Sequence, residues 1–406
     1  MALVKMTTPL HSIALIAIGP SPNLQASEEF RSGWAQLQRT LPRTAHWVEA
    51  IASGSEALYA AAVTQGQQLP LADDARVLLL AHAHVILTAG ALARLHQALD
   101  HNGPHTIIHS CDSGHPPEPA PDYCTLRGLE RYQHQLTVKQ PLTAPAPDHH
   151  VPLATLTTLG TLRHQTHHGE VQHLQAPAAF VHSFADYHQG RREEVLPLIP
   201  THAARVLDVG GGEGGFLQAL KQARGCETHL AEYSKQACEL ASAHVDHVWP
   251  GDFFTQSFTG LPHQGQQAFD CITFLDVLEH AVDPSAWLVR AGALLSPEGV
   301  VVASIPNVGH WGVVADLLEG RWDYCPVGIH CITHLRFFTE QGVQELFAQA
   351  GYSIEQCERV QVPCPPQWQQ HWTQTPGLQV NVASWDTYAF LIRARPVVSH
   401  ASPISP

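Results

Sequence analysis

Short apolar runs, punctuated by glycine and proline, set the frame of the chain. Residues 12–18 and Arg76-Val77-Leu78-Leu79-Leu80 read as buried strands, and Thr106 to His109 as a further one. Between them Glu28 to Leu37, Ser55 to Val63 and the amphipathic stretch Ala91 to Leu99 carry apolar positions at helical spacing. Such alternation predicts an α/β domain with a mainly parallel sheet. Residues 112–122 and 141–150, rich in proline and histidine, read as loops. The run at 12–18 is too short to cross a bilayer and meets Gly19-Pro20-Ser21-Pro22. It lacks a convincing signal-peptide cleavage site and reads as a first strand.

A second α/β pattern begins near residue 184. Ala185 to Leu198 reads as a helix ended by Pro200, after which Val206 to Val209 reads as a buried strand. Gly210-Gly211-Gly212-Glu213-Gly214-Gly215 follows, and Phe216, Leu217 and Leu220 then fall at helical spacing. A strand, a tight glycine turn and a helix point backbone amides and a helix N-terminus at whatever binds there. Thr228-His229-Leu230-Ala231-Glu232 reads as a strand ending in an acid, which suits the two hydroxyls of a ribose. Asp283-Pro284 opens a helix through Leu295, with the aspartate as cap. Gly299 to Ile305, Tyr352 to Val360 and Thr387 to Arg395 read as strands, Gln341 to Ala350 as a helix ended by Gly351. The last residues, from Pro396, read as a disordered tail.

Composition narrows the function classes. The chain has 406 residues, enough for two domains, and a formal charge of -14 without a basic stripe, which argues against nucleic acid as a partner. Nine cysteines with no C-x-x-C pair suit reduced, packed thiols and a cytoplasmic location. The 29 histidines are scattered and read mostly as compositional bias.

Gly210, Gly212 and Gly214, preceded by Asp208, resemble motif I of class I S-adenosylmethionine (SAM) methyltransferases. Gly210, Gly212 and Gly215 also fit the dinucleotide pattern G-x-G-x-x-G, but dinucleotide folds usually keep an apolar residue at the position of Asp208. Phe269-Asp270-Cys271-Ile272-Thr273-Phe274-Leu275-Asp276-Val277-Leu278-Glu279-His280 resembles the fourth strand and following motif of the branch holding ubiquinone-type and envelope-sugar methyltransferases. Gly251-Asp252-Phe253, Pro306-Asn307-Val308-Gly309-His310-Trp311, Gly320-Arg321-Trp322-Asp323-Tyr324 and Thr333-His334-Leu335-Arg336-Phe337-Phe338-Thr339 are similar to further segments of that branch, in its order. Cys331 departs from the aspartate common two residues before Thr333.

The resemblance implies a Rossmann-like, seven-stranded domain over 184–396, followed by the tail at 397–406. Asp208, Gly210, Gly212 and Gly214 would admit and orient the methionine part of SAM. Glu232 would hold the ribose, Asp252 and Phe253 the adenine, with Asp276 beside the cofactor. His280 or His310 would accept the acceptor's proton. In some relatives the acids and histidine matching Asp276, Glu279 and His280 hold a divalent metal; most share the motif without one, and no metal is expected here. Trp311 would floor a pocket or staple a lid.

In residues 1–183, Val77 to Leu92 and Val171 to His182 resemble the core and closing strand of family 2 glycosyltransferases, a GT-A-like remnant. His82 and His84 stand where that family's aspartates belong, and a diphosphate-bound hard cation prefers carboxylates. Asp73 and Asp74 lie at the far end of the strand. The expectation is therefore SAM-dependent O-methylation of a small-molecule, sugar or lipid-linked acceptor. The rivals are a glycosyltransferase or bifunctional enzyme of cell-envelope polysaccharide synthesis, a SAM-binding module without turnover, and an NAD-dependent dehydrogenase.

Overall fold

The computed structural model describes residues 13–20, 28–117, 124–146, 152–166, 171–258, 261 and 267–397. Ser12, the stretches 118–122 and 147–150 read as loops, and the tail from 398 lie outside the described residues. The chain divides into two compact units, Met1–Ala185 with Asp323–Ile332, and Asp186–Trp322 with Thr333–Pro406.

The first unit runs β1 (Ile13–Ile18), α1 (Glu28–Thr40), β2 (His46–Glu49), α2 (Ser55–Gln68), β3 (Arg76–Leu80), β4 (Val85–Ile86), α3 (Ala89–Asn102), β5 (Thr106–Asp112), α4 (Leu126–Lys139), β6 (Ala144–Pro145), β7 (Ala154–Thr158), α5 (Leu159–Thr166) and β8 (Gln172–Ser183). Its sheet order is β2-β1-β3-β7-β5-β8-β4, with β6 also on β8. The expected mainly parallel sheet is in fact mixed. β7 lies antiparallel between β3 and β5, and β4 and β6 run antiparallel to β8. β7 escapes sequence reading because Ala154-Thr155-Leu156-Thr157-Thr158 has little apolar content, yet all five residues are buried. Their hydroxyls find internal acceptors: Thr157 Oγ1 donates to the Thr106 carbonyl at 2.8 Å and Thr158 Oγ1 to that of Pro104 at 3.0 Å. Part of the expected 141–150 loop is the short strand β6.

The segment 323–332 closes on itself, with the Cys325 amide on the His330 carbonyl and the Ile332 amide on that of Cys325, both at 2.9 Å. Its Val327 packs against a cluster containing Phe180 and Phe184.

The second unit holds β9 (Arg205–Val209), α6 (Gly215–Arg224), β10 (Glu227–Glu232), α7 (Lys235–Ala241), β11 (His247–Pro250), β12 (Phe269–Leu275), α8 (Pro284–Leu294), β13 (Leu295–Pro306), α9 (Trp311–Leu318), α10 (Glu340–Gln349), β14 (Tyr352–Gln361), α11 (Pro366–Thr373), α12 (Val382–Trp385) and β15 (Thr387–Pro396). These form a seven-stranded, Rossmann-like sheet of order β11-β10-β9-β12-β13-β15-β14. Only β15 runs antiparallel to its neighbours. Phe269, Phe274, Phe347 and Phe390 fill the core on one face, with Val301 and Ile305. The chain order reverses between β9 and β12, so a crevice opens at the carboxyl ends of those strands.

One expected helix is absent. Residues 185–198 form two short 3-10 turns, Tyr187–Gln189 and Glu193–Leu198, rather than a continuous helix. The break falls where Arg192 takes φ 46, and the His188 carbonyl accepts the Glu213 amide at 3.1 Å instead of one from its own helix.

The central placement of β7 is testable. Leu156 is wholly buried, so Leu156→Ala should cost about 2–5 kcal/mol in urea unfolding followed by far-UV circular dichroism. A loss below about 0.5 kcal/mol, the scale of a surface change, would contradict it.

Candidate active site

β9 ends at Val209 and the chain turns sharply through glycines into α6. Gly210, Gly212 and Gly214 have φ of 70, 56 and 77, a region costly for residues with a Cβ. Gly211, outside the motif as read from sequence, is the most constrained for space. A Cβ there would fall 2.1 Å from Asp208 Oδ2.

Asp208 lies beneath this turn and is 1% exposed. Its Oδ1 accepts the Thr273 hydroxyl at 2.5 Å, while Oδ2 has no hydrogen-bond partner. Burial pushes the carboxyl up to about 7, against the Thr273 bond and the Arg192 charge, which pull it down. A carboxylate in that state calls for a cationic or donor group from a ligand.

Glu232 closes β10 and ties that strand to the turn. Its Oε2 accepts the Gly212 amide at 3.0 Å and its Oε1 the Ser234 amide at 2.7 Å. Asp252 is exposed and caps the following 3-10 turn through Oδ1, which accepts the Phe254 amide at 2.9 Å. Phe253 itself is buried, edge-on to Phe274 and tilted against Trp287. Arg290 fixes this turn by donating Nε–H to the Phe253 carbonyl at 2.9 Å.

A cleft of about 540 Å³ opens between these strand ends. Gly210, Glu232, Asp252, Phe253 and His280 line it together. Sequence reasoning missed Tyr233, Phe254, Val277, Val282 and Trp287, which also line it. Tyr233, Phe254 and Val282 are large apolar side chains left exposed around it. Neighbourhood in sequence was their only signal, since each adjoins or nearly adjoins a residue already singled out.

His280 ends a 3-10 turn after β12. Its Nδ1 donates to the Thr333 carbonyl at 3.2 Å, a tautomer that puts the basic electron pair on Nε2. The ring stands edge-on to His334 at 4.7 Å between centroids. Behind them Glu279 is wholly buried, and its two carboxylate oxygens have no hydrogen-bond partner. Burial, with the nearby Asp276 charge, drives the Glu279 carboxyl well above the usual range. One ligand atom each from Glu279, His280 and His334 falls within 4.8 Å of the others.

Asp208, Gly212 and Gly214 lie beside the cleft lining rather than in it, and Asp276 and His310 stand apart from it too. Asp276, at φ 56, takes the Arg192 guanidinium at 2.5 Å and the Ser304 hydroxyl at 2.6 Å. Arg192 was legible only as a polar residue in an expected helix; its left-handed backbone turns it inward instead. His310 is wholly buried at the start of α9. Its Nδ1 accepts the Gly312 amide at 3.1 Å and its Nε2 donates to the Val362 carbonyl at 3.0 Å. Burial lowers it to about 4, so the ring is neutral and both nitrogens serve the fold. Trp311 donates to the same carbonyl at 3.1 Å, fastening α9 rather than flooring the cleft.

In the first unit, His84 is buried edge-on to Phe184 at 4.8 Å, and its amide donates to His82 Nδ1 at 3.2 Å. Asp73 pairs with Arg163. Among the described residues no helix is long and apolar enough to cross a membrane.

Residues 175–357 match a family model described as a methyltransferase domain. The chain is similar to ubiquinone biosynthesis O-methyltransferases. It is 26% identical to that of Cereibacter sphaeroides over 156 residues, 38% of this chain and 62% of the relative. With that of Idiomarina loihiensis it shares 32% over 138 residues, 33% of this chain and 55% of the relative. It thus spans little more than half the length of these curated relatives. A solved SAM-dependent methyltransferase from Archaeoglobus fulgidus overlaps 52% of this chain and 97% of its own, at 15% identity and a TM-score of 0.37. The match at residues 175–357 coincides with the seven-stranded sheet and the glycine turn already placed, so this segment is similar to methyltransferase domains.

Proposed function

We propose that this protein transfers a methyl group from SAM to an oxygen of a small-molecule acceptor, and that the cleft at the carboxyl ends of β9 to β12 is its site. The observation that carries this reading is Asp208, whose one unpartnered buried oxygen underlies a turn that a Cβ at Gly211 would obstruct. These residues fit a ligand with a cationic amino-acid end. Glu232 is held by two amides and keeps further lone pairs for ribose hydroxyls, while Asp252, Phe253 and Phe254 border the place for adenine. Asp276 acts through Arg192 and Ser304, positioning the strand end rather than touching the cofactor.

When bound, SAM supplies an electrophilic methyl group on a sulfonium. The chain's own work is to orient that group, exclude water and accept a proton. His280 is the better base of the two histidines, because it lines the cleft whereas both nitrogens of His310 are spent on backbone groups. A second reading replaces the base with a divalent ion held by Glu279, His280 and His334, supported by their proximity and the buried Glu279 carboxyl. The family match begins at residue 175 and lends sugar transfer no support.

The ribose contact is checked by titration calorimetry: Glu232→Ala should weaken SAM binding by about 1–3 kcal/mol, and unchanged affinity would contradict the assignment. For the proton, His280→Ala should lower turnover by roughly 10²–10⁴ with SAM affinity near that of the parent, while His310→Ala should lower the melting temperature first. Equal turnover in the parent and His280→Ala would contradict the base, and activity abolished by chelator would favour the metal reading.

Asp208 predicts a pH dependence of its own. Its folded pKa, about 7, lies above the unfolded value, so folding favours the protonated acid. The resulting cost is absent below the unfolded pKa, grows as pH rises toward 7 and then levels off. Asp208→Asn removes it. The variant's stability relative to the ligand-free parent should therefore improve by about 2–3 kcal/mol between pH 5 and pH 8 in urea unfolding, at the cost of SAM affinity. The same stability difference at both pH values would contradict the buried acid.

A further inference from the structure

A second cluster of metal-ligating side chains lies on the same sheet, away from the cleft. Glu227 opens β10 and faces Arg205 across β9, and His229, two residues on, shares its side of the sheet. Across the next pairing, His229 stands directly opposite His247 of β11. All three lie toward the amino ends of their strands, whereas Glu232 and Asp252 serve the cleft from the carboxyl ends.

His229 is wholly buried, edge-on to Phe269 at 5.2 Å, and neither ring nitrogen has a hydrogen-bond partner. Its Nε2 is 3.3 Å from Glu227 Oε1 but off the line of a hydrogen bond. A buried imidazole whose nitrogens make no hydrogen bond is costly, and a ligand to the ring would relieve that cost. Glu227 Oε1 also lies 3.1 Å from His247 Nε2, while Arg205 holds Oε2 at 2.8 Å and so turns Oε1 toward the histidines. One ligand atom from each of the three residues falls within 4.8 Å of the others.

We infer that Glu227, His229 and His247 form a binding site for a transition-metal ion, and that Zn²⁺ is the ion it fits. Two imidazoles and one carboxylate are a nitrogen-rich set that suits zinc better than magnesium or calcium, which seek oxygen. Three protein ligands leave a fourth position for water. The histidine rings stack at 4.5 Å in this arrangement, so binding requires one to turn. His247, with 46% of its side chain exposed, is the ring with room to turn, pivoting about its contact with Glu227 Oε1. A bound ion would fasten edge strand β11 to β10; β10 ends in Glu232, and Asp252 follows just after β11.

The test is zinc uptake by the chelator-stripped full chain, read by competition with a chromophoric zinc indicator and by the visible absorption of Co²⁺ in its place. The parent and His280→Ala should each bind one tight equivalent of Zn²⁺ at this cluster. His247→Ala and Glu227→Gln should weaken it by at least tenfold, the lower end of what even outer partners of metal ligands contribute. Exposed His247 can be removed without opening the core, so its variant stays folded by circular dichroism. Equal zinc affinity in the parent and His247→Ala overturns the site, as does a tight equivalent lost in His280→Ala and kept in His247→Ala.

Discussion

The second unit depends on burying the Asp208 carboxylate at the end of a central strand. β9 lies between β10 and β12, and Asp208 near its carboxyl end is almost wholly buried. An acid in that place is costly in the ligand-free protein, and Thr273 satisfies only one of its oxygens. The other oxygen occupies the space a Cβ on Gly211 would need, so the acid and the glycine turn constrain each other. Glu232 holds the turn from the next strand through the Gly212 amide. Stability given up here is available to a ligand that brings charge or hydrogen-bond donors, a common trade at binding sites.

Elements whose period matches their burial were legible in the sequence. β3, β9 and β13 are apolar runs bounded by turn residues, and α8 announces itself with Asp283 and Pro284. β7 was not legible, because its threonines are satisfied by carbonyls more than fifty residues away, which no local pattern reveals. The break at Arg192 was hidden for a related reason. Residues 185–198 have helical spacing, but tertiary bonds from Glu213, Asp276 and Ser304 hold the backbone and side chains there in another arrangement.

The same division runs through the candidate site. The glycines, Glu232 and Asp252 could be found because each sits at a strand end, where spacing alone places it. The two histidines could not be told apart in sequence, since each follows shortly after a strand. Their surroundings separate them: His310 is enclosed with both nitrogens bonded to backbone, and His280 borders the cleft. Among 29 histidines, His229 looked like compositional bias, and only its register opposite His247 gives it a chemical meaning.

On the proposed function, SAM occupies the cleft formed by the glycine turn and the ends of β10 and β11. Hydrogen–deuterium exchange of the full chain, read by mass spectrometry with and without saturating SAM, tests it most directly. With SAM bound, exchange should slow in peptides covering Gly210–Gly215 and Gly251–Phe254, with no comparable change under NAD. Slowed exchange there with NAD and none with SAM would contradict it.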